Sequence, residues 1–380
     1  MSFRRPRRIL RALLIVLAVL GALVGGAMAL SGDARYLVRA GVAEAGILLR
    51  RRAIAEVVAD PATDRATRGK LMLVLAARAF AADSLGLAAG ETYTTYAPLD
   101  RDTLVLVLSA ARTDRLEQYV WRYPIVGRLP YKGFFSFDLA ATEARKLERA
   151  GLDTYLRVAN AFSTLGWFED PLLSTVVGED SVDLAATVIH EIFHNTLFIG
   201  GRADFNESMA SWAGYRGAET FFRARGDSAN AAHAAARWRD QVRLSRFYGE
   251  LVRRLERLYA TGVTGGELQR ARADLYRLAA DEMAGPVGAH LETIDGPRLA
   301  RRPLNNAVLL ARRLYVKDLD RFDLLLTGHP DLRGAVAGVL RRAETVDDPW
   351  TLLPPAPVVR TVRTADATAP QDSQPASPPQ

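Results

Sequence analysis

The segment from Ser181 to Phe198 constrains the fold of this chain more than any other. It contains His-Glu-Ile-Phe-His at residues 190–194, and most of its other positions are apolar. Apolar residues at helical spacing predict a buried helix, with Ser181 as a candidate N-cap. Because positions i and i+4 of a helix lie on one face, the side chains of His190 and His194 should point to the same place. The fold must therefore bury this helix and leave space beside two imidazoles.

Two histidines at this spacing are typical of a metal site. Glu191 directly follows His190, so its carboxylate would lie beside the metal and act as general base towards a water molecule. Zinc suits this chemistry, because it lowers the pKa of bound water and polarises a carbonyl group. The alternative is a pair of histidines that pack without metal, but the apolar surroundings favour a buried active-site helix.

A catalytic zinc site normally has three protein ligands and one open position. Glycines at 200–201 interrupt the chain after the first helix, and Glu207 follows His194 by 13 positions in a second predicted helix, Asn206–Arg225. So short a connection favours neighbouring antiparallel helices. We therefore predict that His190, His194 and Glu207 bind one Zn²⁺ ion. The alternative for Glu207 is a carboxylate that stabilises only the helix N-terminus.

Four further residues are candidates for supporting roles. Asp204 and Asn206 precede or open the second helix, where they could orient the ligands. Tyr215 and Tyr315 could donate hydrogen bonds to the developing oxyanion, although a structural role is the alternative for each.

The substrate site is predicted at the edge of a β-sheet, because extended peptides commonly add a strand to an exposed edge. The predicted strand Thr154–Ala161 runs into Ser163, Thr164, Leu165 and Gly166. Glycine permits close approach of a second backbone. The alternative is an ordinary turn after the strand, since these residue types also favour turns.

The hydrophobic pattern predicts a predominantly helical α+β fold. The expected strands are Thr103–Leu108 and Thr154–Ala161, with a hairpin in Tyr123–Phe137. The other expected helices are Asp33–Asp60, Leu71–Leu85, Asp138–Ala150, Ala229–Ala284, Leu304–Leu326 and Pro330–Ala343.

The N-terminus has the pattern of an export signal. Five arginines in the first eleven residues precede Ala12–Leu30, a run of 19 residues without charge. This length permits a membrane-spanning anchor, and the arginines favour a cytoplasmic N-terminus. The sequence Ala-Met-Ala at 27–29 is also a cleavage pattern, so a cleaved signal peptide is the alternative. We predict three regions: a signal segment at 1–31, a peptidase domain at 32–345 and a disordered Pro/Ala/Thr/Ser-rich tail at 346–380.

Charge and composition exclude several classes. The net charge is +7, but subtracting the five N-terminal arginines leaves +2, which argues against nucleic-acid binding. The chain has no cysteine, which excludes disulfides, thiolate nucleophiles and cysteine-ligated zinc.

The chain resembles a family of bacterial zinc aminopeptidases of the cell envelope, known from prediction and similar to the gluzincin metallopeptidases that carry HExxH. The resemblance covers roughly residues 36–322 and is most specific at 123–135, at 161–171, in the two helices with His190, His194 and Glu207, and at 305–307. It implies a zincin-like fold with a small sheet packed on the HExxH helix. Gly214 stands where the family has a glutamate, Phe193 replaces a small residue, and the cysteine for lipid attachment is absent.

Together, the motif and the resemblance predict a zinc-dependent metallopeptidase, and more specifically an aminopeptidase, that acts on peptides. The N-terminal segment would tether it to the cytoplasmic membrane of a bacterial envelope, with the catalytic domain on the periplasmic side. A catalytically inactive envelope scaffold or chaperone is the alternative, although such a protein would not need Glu191. The sequence leaves the oligomeric state open.

Overall fold

The computed structural model describes residues 32–99, 105–123, 127–134, 136–159 and 171–355, together with Ile15, Gly26 and Ala29. These residues form many helices and a few short strands, which agrees with the predicted helical α+β class. The α-helices are α1 Gly32–Arg50, α2 Ile54–Ala59, α3 Arg65–Asp83, α4 Phe137–Arg149, α5 Ser174–Val177, α6 Ser181–Thr196, α7 Ala203–Ala224, α8 Ser228–Ala260, α9 Gly265–Ala284, α10 Gly296–Ala300, α11 Asn306–Arg313, α12 Asp320–Asp323 and α13 Leu332–Ala343. The strands are β1 Arg52–Ala53, β2 Thr95–Ala97, β3 Val105–Arg112, β4 Trp121–Tyr123, β5 Gly127–Leu129, β6 Tyr131–Phe134, β7 Leu152–Ala159 and β8 Leu172–Leu173.

The sequence predicted Ser181 as the N-cap of α6, but the N-cap is Asp180. The Asp180 carboxylate accepts hydrogen bonds from the backbone N–H groups of Val182 at 2.8 Å and Asp183 at 2.9 Å. A carboxylate satisfies these free N–H groups and also interacts well with the positive end of the helix dipole. The N-cap therefore lies one residue earlier than the sequence suggested, and Ser181 is the first residue of the helix.

Three of the predicted long helices are interrupted. The segment predicted as one helix at Ala229–Ala284 consists of α8 and α9, and Gly262 between them has a left-handed φ of +75°. The segment Leu304–Leu326 contains α11 and α12, separated by a bend in which Asp318 has a φ of +49°. The predicted helix Asp33–Asp60 is likewise divided into α1 and α2 by strand β1.

The principal sheet has three antiparallel strands in the order β6-β3-β7. The two expected strands are β3, which is described from two residues after the predicted start and continues to Arg112, and β7, which begins two residues before the predicted start. Strand β4 pairs with β5 in the expected hairpin region. A second sheet has the order β1-β2-β8, in which β2 and β8 run parallel. Because β7 pairs only with β3, it is an edge strand among the described strands.

The resemblance implied that the sheet packs on α6, but the principal sheet packs chiefly on other helices. Helix α4 covers one face, where Leu108 and Phe134 are buried with its residues Ala144 and Leu147. Helix α11 lies against the other face, and the main neighbours of α6 are the helices α3, α7 and α8. The sheet therefore contributes side chains to the region of the metal motif from across α11.

Two glycines allow α7 to lie very close to α6. A Cβ atom at Gly214 would stand 2.7 Å from the Ala186 carbonyl oxygen, and one at Gly217 would stand 3.0 Å from Cγ2 of Ile189. Both helices are largely buried in the main hydrophobic core. This close packing sets the distance between the ligand-bearing helices.

The packed part of the chain extends beyond residue 345. Trp350 packs edge-on against Phe205 with ring centroids 5.4 Å apart, and Leu352 and Leu353 are buried. The predicted tail at 346–380 therefore begins with ten residues that the structure describes, of which several belong to the core. The remainder, 356–380, lies outside the described residues.

The predicted N-terminal anchor, Ala12–Leu30, lies outside the described residues except for Ile15, Gly26 and Ala29. Among the helices that are described, none is long and apolar enough to cross a membrane. The anchor and the division at residue 31 therefore stay predictions.

Candidate metal centre

Helix α6 presents His190 and His194 side by side, one turn apart. Their ring planes are nearly perpendicular, at 85°, and the two Nε2 atoms lie 3.2 Å apart. The rest of this helix is buried, including Ile189, Ile192 and Phe193. The apolar residues thus fix the helix, so that both imidazoles face the same point.

Helix α7 brings Glu207 to the same point. One carboxylate oxygen lies 3.4 Å from Nε2 of His190, and the other lies 3.7 Å from Nε2 of His194. Because Gly214 contacts Ala186 further along, α7 runs back along α6. The structure therefore brings the three residues predicted as ligands together.

The three side chains match what a zinc ion needs. One ligand atom from each of His190, His194 and Glu207 lies within 4.8 Å of the others. Ligands about 2.0–2.2 Å from a tetrahedral ion are separated from one another by roughly 3.4 Å. The separations of 3.2, 3.4 and 3.7 Å bracket that value. Two imidazoles and one carboxylate are also the donor set of known catalytic zinc sites.

The electrostatics of the cluster favour the ligand form of two residues. Burial lowers the pKa of His194 to about 4, and the charge of His190 contributes to this shift. Burial would raise the pKa of Glu207, but the hydrogen bond from His190 and the charges of both imidazoles lower it overall. Burial also lowers the pKa of His190, and Glu207 and Glu191 outweigh that effect and raise it. At neutral pH Glu207 is ionised and His194 neutral, as metal ligation requires.

Asn206 orients the cluster indirectly, by closing the turn between the two helices. Its side-chain N–H donates to the Ile199 carbonyl at 2.8 Å, and its side-chain oxygen accepts from the Ile199 N–H at 3.0 Å. Gly201 in the same turn has a left-handed φ of +73°. Asn206 therefore fixes the start of α7, one residue before Glu207, without contacting either imidazole.

Asp204 has a different partner from the one we predicted. Its carboxylate forms an ion pair with Lys317 and accepts a hydrogen bond from the Phe205 N–H at 2.9 Å. Neither imidazole is among its contacts. Asp204 thus joins the start of α7 to the segment that follows α11.

The structure separates the two tyrosines considered as hydrogen-bond donors. Tyr215 lies 3.4 Å from Asp183, in a buried cluster with Arg237 on the opposite part of α6. Burial raises the pKa of Tyr315, and the nearby carboxylate of Glu207 raises it further. Glu191 also acts on Tyr315. Only Tyr315 therefore belongs to the region of the cluster.

Two residues near the cluster were not found from the sequence. Burial raises the pKa of Tyr131, the carboxylate of Glu207 raises it further, and Arg157 lowers it. Arg157 also lowers the pKa of Tyr315 and contributes to the lowering at Glu207. Tyr131 is on β6 and Arg157 on β7. The only sequence signal was that both residues fall in segments already expected to form strands.

The proposed substrate-binding residues Ser163, Thr164, Leu165 and Gly166 lie outside the described residues. Strand β7, which was expected to lead into them, is described as far as Ala159. Their role as a binding edge stays a prediction.

The fold and the cluster define a predominantly helical α+β protein with a His-His-Glu site that can hold a metal ion, as in a metallopeptidase. A family model described as "Putative aminopeptidase" matches residues 35–334, which is most of the chain, and the chain belongs to that family. No curated protein and no solved structure matches the chain. The family supports a peptidase activity in general and agrees with the resemblance at that level.

Proposed function

We propose that this protein is a zinc-dependent metallopeptidase, and more specifically an aminopeptidase. The observation that carries the proposal is the convergence of His190, His194 and Glu207, with Glu191 directly after the first ligand. Membership of a peptidase family supports the same activity. A purely structural metal site would need the three ligands but not Glu191.

The ligands would be His190, His194 and Glu207, and Glu191 would act as general base. A bound zinc ion would supply Lewis acidity, which activates a water molecule and polarises the scissile carbonyl. Glu191 would take the proton from the attacking water and pass it to the leaving amine. Its negative charge acts on His190 and on Tyr315, so its carboxylate belongs to the same electrostatic region as the cluster.

Tyr315 would donate a hydrogen bond to the negative charge that develops on the carbonyl oxygen. Burial and the charge of Glu207 raise its pKa, so the hydroxyl stays protonated and available as a donor. A preorganised hydrogen-bond donor stabilises such charge, and the exposure of Tyr315 leaves its ring accessible to a substrate.

The peptide substrate would add as a strand to the free edge of β7. Among the described strands it pairs on one side only, and Ser163, Thr164, Leu165 and Gly166 would continue the binding edge. Asn305 already donates a hydrogen bond to the Thr154 carbonyl at 2.9 Å. The part of the edge nearer Ala159 is therefore the candidate for substrate pairing.

We also propose that the N-terminal segment holds the enzyme at the bacterial cytoplasmic membrane, with the catalytic domain in the periplasm. The support is the sequence pattern alone: five arginines followed by the uncharged run Ala12–Leu30. Nucleic acid is not among the proposed partners.

The decisive test combines metal analysis and peptide hydrolysis on the full chain, purified in detergent. The wild type, Glu191→Gln and a control, Glu344→Gln at an exposed position, would be compared. We expect one zinc ion per chain in all three, with hydrolysis lost only in Glu191→Gln. Full zinc occupancy without hydrolysis by the wild type would favour the inactive scaffold, and absence of zinc would refute the site.

A further inference from the structure

Arg157 is partly buried, and it is not paired by a hydrogen bond or a close ion pair with any described residue. Two other arginines with low exposure are paired: Arg216 lies 2.6 Å from Asp323, and Arg272 forms an ion pair with Asp153. A charge withdrawn from water is normally paired, because its lost hydration is otherwise uncompensated. The guanidinium of Arg157 is therefore available to a ligand.

The strand register places Arg157 on the face of the sheet that also carries Tyr131. Arg157 is opposite Val107, which is opposite Gly133 on the third strand. Tyr131 is opposite Ser109, two positions from Val107 on the same strand. Directly opposed residues, and residues two apart along a strand, share one face of a sheet.

This face is turned towards α11 and the metal cluster. Asp153 lies on the same face as Arg157, four positions before it, and accepts a hydrogen bond from the Asn306 N–H of α11 at 2.9 Å. Tyr315 follows α11 by two residues. Arg157 and Glu207 also interact through their charges. Arg157 is thus a cation whose charge acts on Glu207, one of the three proposed metal ligands.

We propose that Arg157 binds the C-terminal carboxylate of the substrate, and that the substrates are short peptides with a free C-terminus. The inference rests on the proposed peptidase function. Guanidinium and carboxylate groups form paired, charge-assisted hydrogen bonds in a fixed planar geometry. A neutral carbonyl of a long peptide could be held by any N–H donor, whereas a carboxylate also offsets the positive charge of a partly buried guanidinium group.

The position of Arg157 also limits the length of the peptide. An extended peptide spans about 3.3 Å per residue. Because Arg157 and Glu207 interact through their charges, a carboxylate held by Arg157 would lie near the proposed metal ligands, and so we infer that short peptides are the substrate class.

The test measures binding separately from hydrolysis. Full-length, zinc-loaded Glu191→Gln would be titrated calorimetrically with dialanine and with dialanine amide. We expect the free acid to bind about 10- to 100-fold more tightly than the amide, as for loss of a charge-assisted bidentate pair. When Arg157→Gln is added to Glu191→Gln, the ratio of the affinities for the acid and the amide should fall to about one. When Arg157→Lys is added instead, part of the preference for the acid should remain because a point charge remains.

The control is Arg149→Gln, an exposed arginine on α4, which should keep the full preference. Equal binding of acid and amide by Glu191→Gln, or an unchanged ratio in Arg157→Gln, would overturn the inference. Hydrolysis by the chain with Glu191 intact separates the two proposals. If the acid binds preferentially but neither peptide is cleaved, the carboxylate site stands and the peptidase function fails. If both are cleaved and bound equally, the peptidase function stands and the role of Arg157 fails.

Discussion

The closeness of α6 and α7 leads to a testable prediction about Gly214→Ala. The added methyl group would stand 2.7 Å from the Ala186 carbonyl oxygen and 3.3 Å from Cβ of His190. Optimal contact between non-bonded heavy atoms is about 3.5–4.0 Å. The overlap is with backbone, which no side-chain rotation can relieve, so α7 must move away from α6.

The magnitude follows from two opposing terms. Replacing glycine by alanine within a helix stabilises it by roughly 1 kcal/mol. Overpacking a well-packed core costs typically about 1–3 kcal/mol. The first term can be measured separately with Gly69→Ala on α3, where an added Cβ has no neighbour within 4 Å. The difference between the two variants should therefore isolate the overlap, at about 1–3 kcal/mol.

The assay is the free energy of unfolding in urea, with zinc affinity measured by competition with a chelator. Glu207 lies seven residues before Gly214, so both residues fall on one face of α7. Moving α7 should draw Glu207 away from His190 and weaken zinc binding about tenfold. Gly69→Ala should leave zinc affinity unchanged. Equal stability of the two variants would refute the argument that close packing at Gly214 sets the position of the third ligand.

Two further predictions concern stability. Asp180→Ala should lower the free energy of unfolding by about 1–2 kcal/mol because α6 loses its N-cap; Asp180→Asn should lose much less, and equal losses in urea melts would contradict the capping role. A chain ending at residue 345 should have a lower melting temperature than one ending at 355, because it lacks the buried Leu352 and Leu353 and the packed ring of Trp350. Equal melting temperatures would show that these contacts add nothing to stability.

The cluster of proposed metal ligands could be predicted because its arrangement is nearly local. His190 and His194 are one helical turn apart. A short connection with glycines at 200–201 brings Glu207 back to them. Helical geometry and loop length are sufficient to specify this contact. The details of capping were less accessible, since Asp180 and Ser181 are both good N-cap residues and only the backbone geometry decides between them.

Arg157, Tyr131 and Tyr315 could not be placed in the same way. They come from two strands and from a bend after α11, so their approach to Glu207 depends on tertiary packing. Hydrophobic periodicity specifies which face of an element is buried, but not which distant element covers it. The bend that carries Tyr315 was itself hidden inside a segment predicted as one helix.

At two other places, the average composition of a long segment concealed the local signal of a few residues. The segment Ala229–Ala284 has the charge and periodicity of one long helix, yet it contains glycines at 262, 265 and 266, and the break lies there. The C-terminal segment is rich in Pro, Ala, Thr and Ser as a whole, but Trp350, Leu352 and Leu353 near its start supply enough apolar surface to pack. Single residues outweighed the composition of the window in both cases.

The glycine at position 214 connects the family resemblance to the geometry of the site. The family pattern suggests a glutamate there, which would add a carboxylate next to His190. In this chain even a methyl group at that position would overlap the backbone of α6. A larger side chain would require a wider separation of the two helices, and Glu207 would then move away from the imidazoles. Glycine at 214 is therefore what lets α7 approach α6 this closely and brings Glu207 to the two imidazoles.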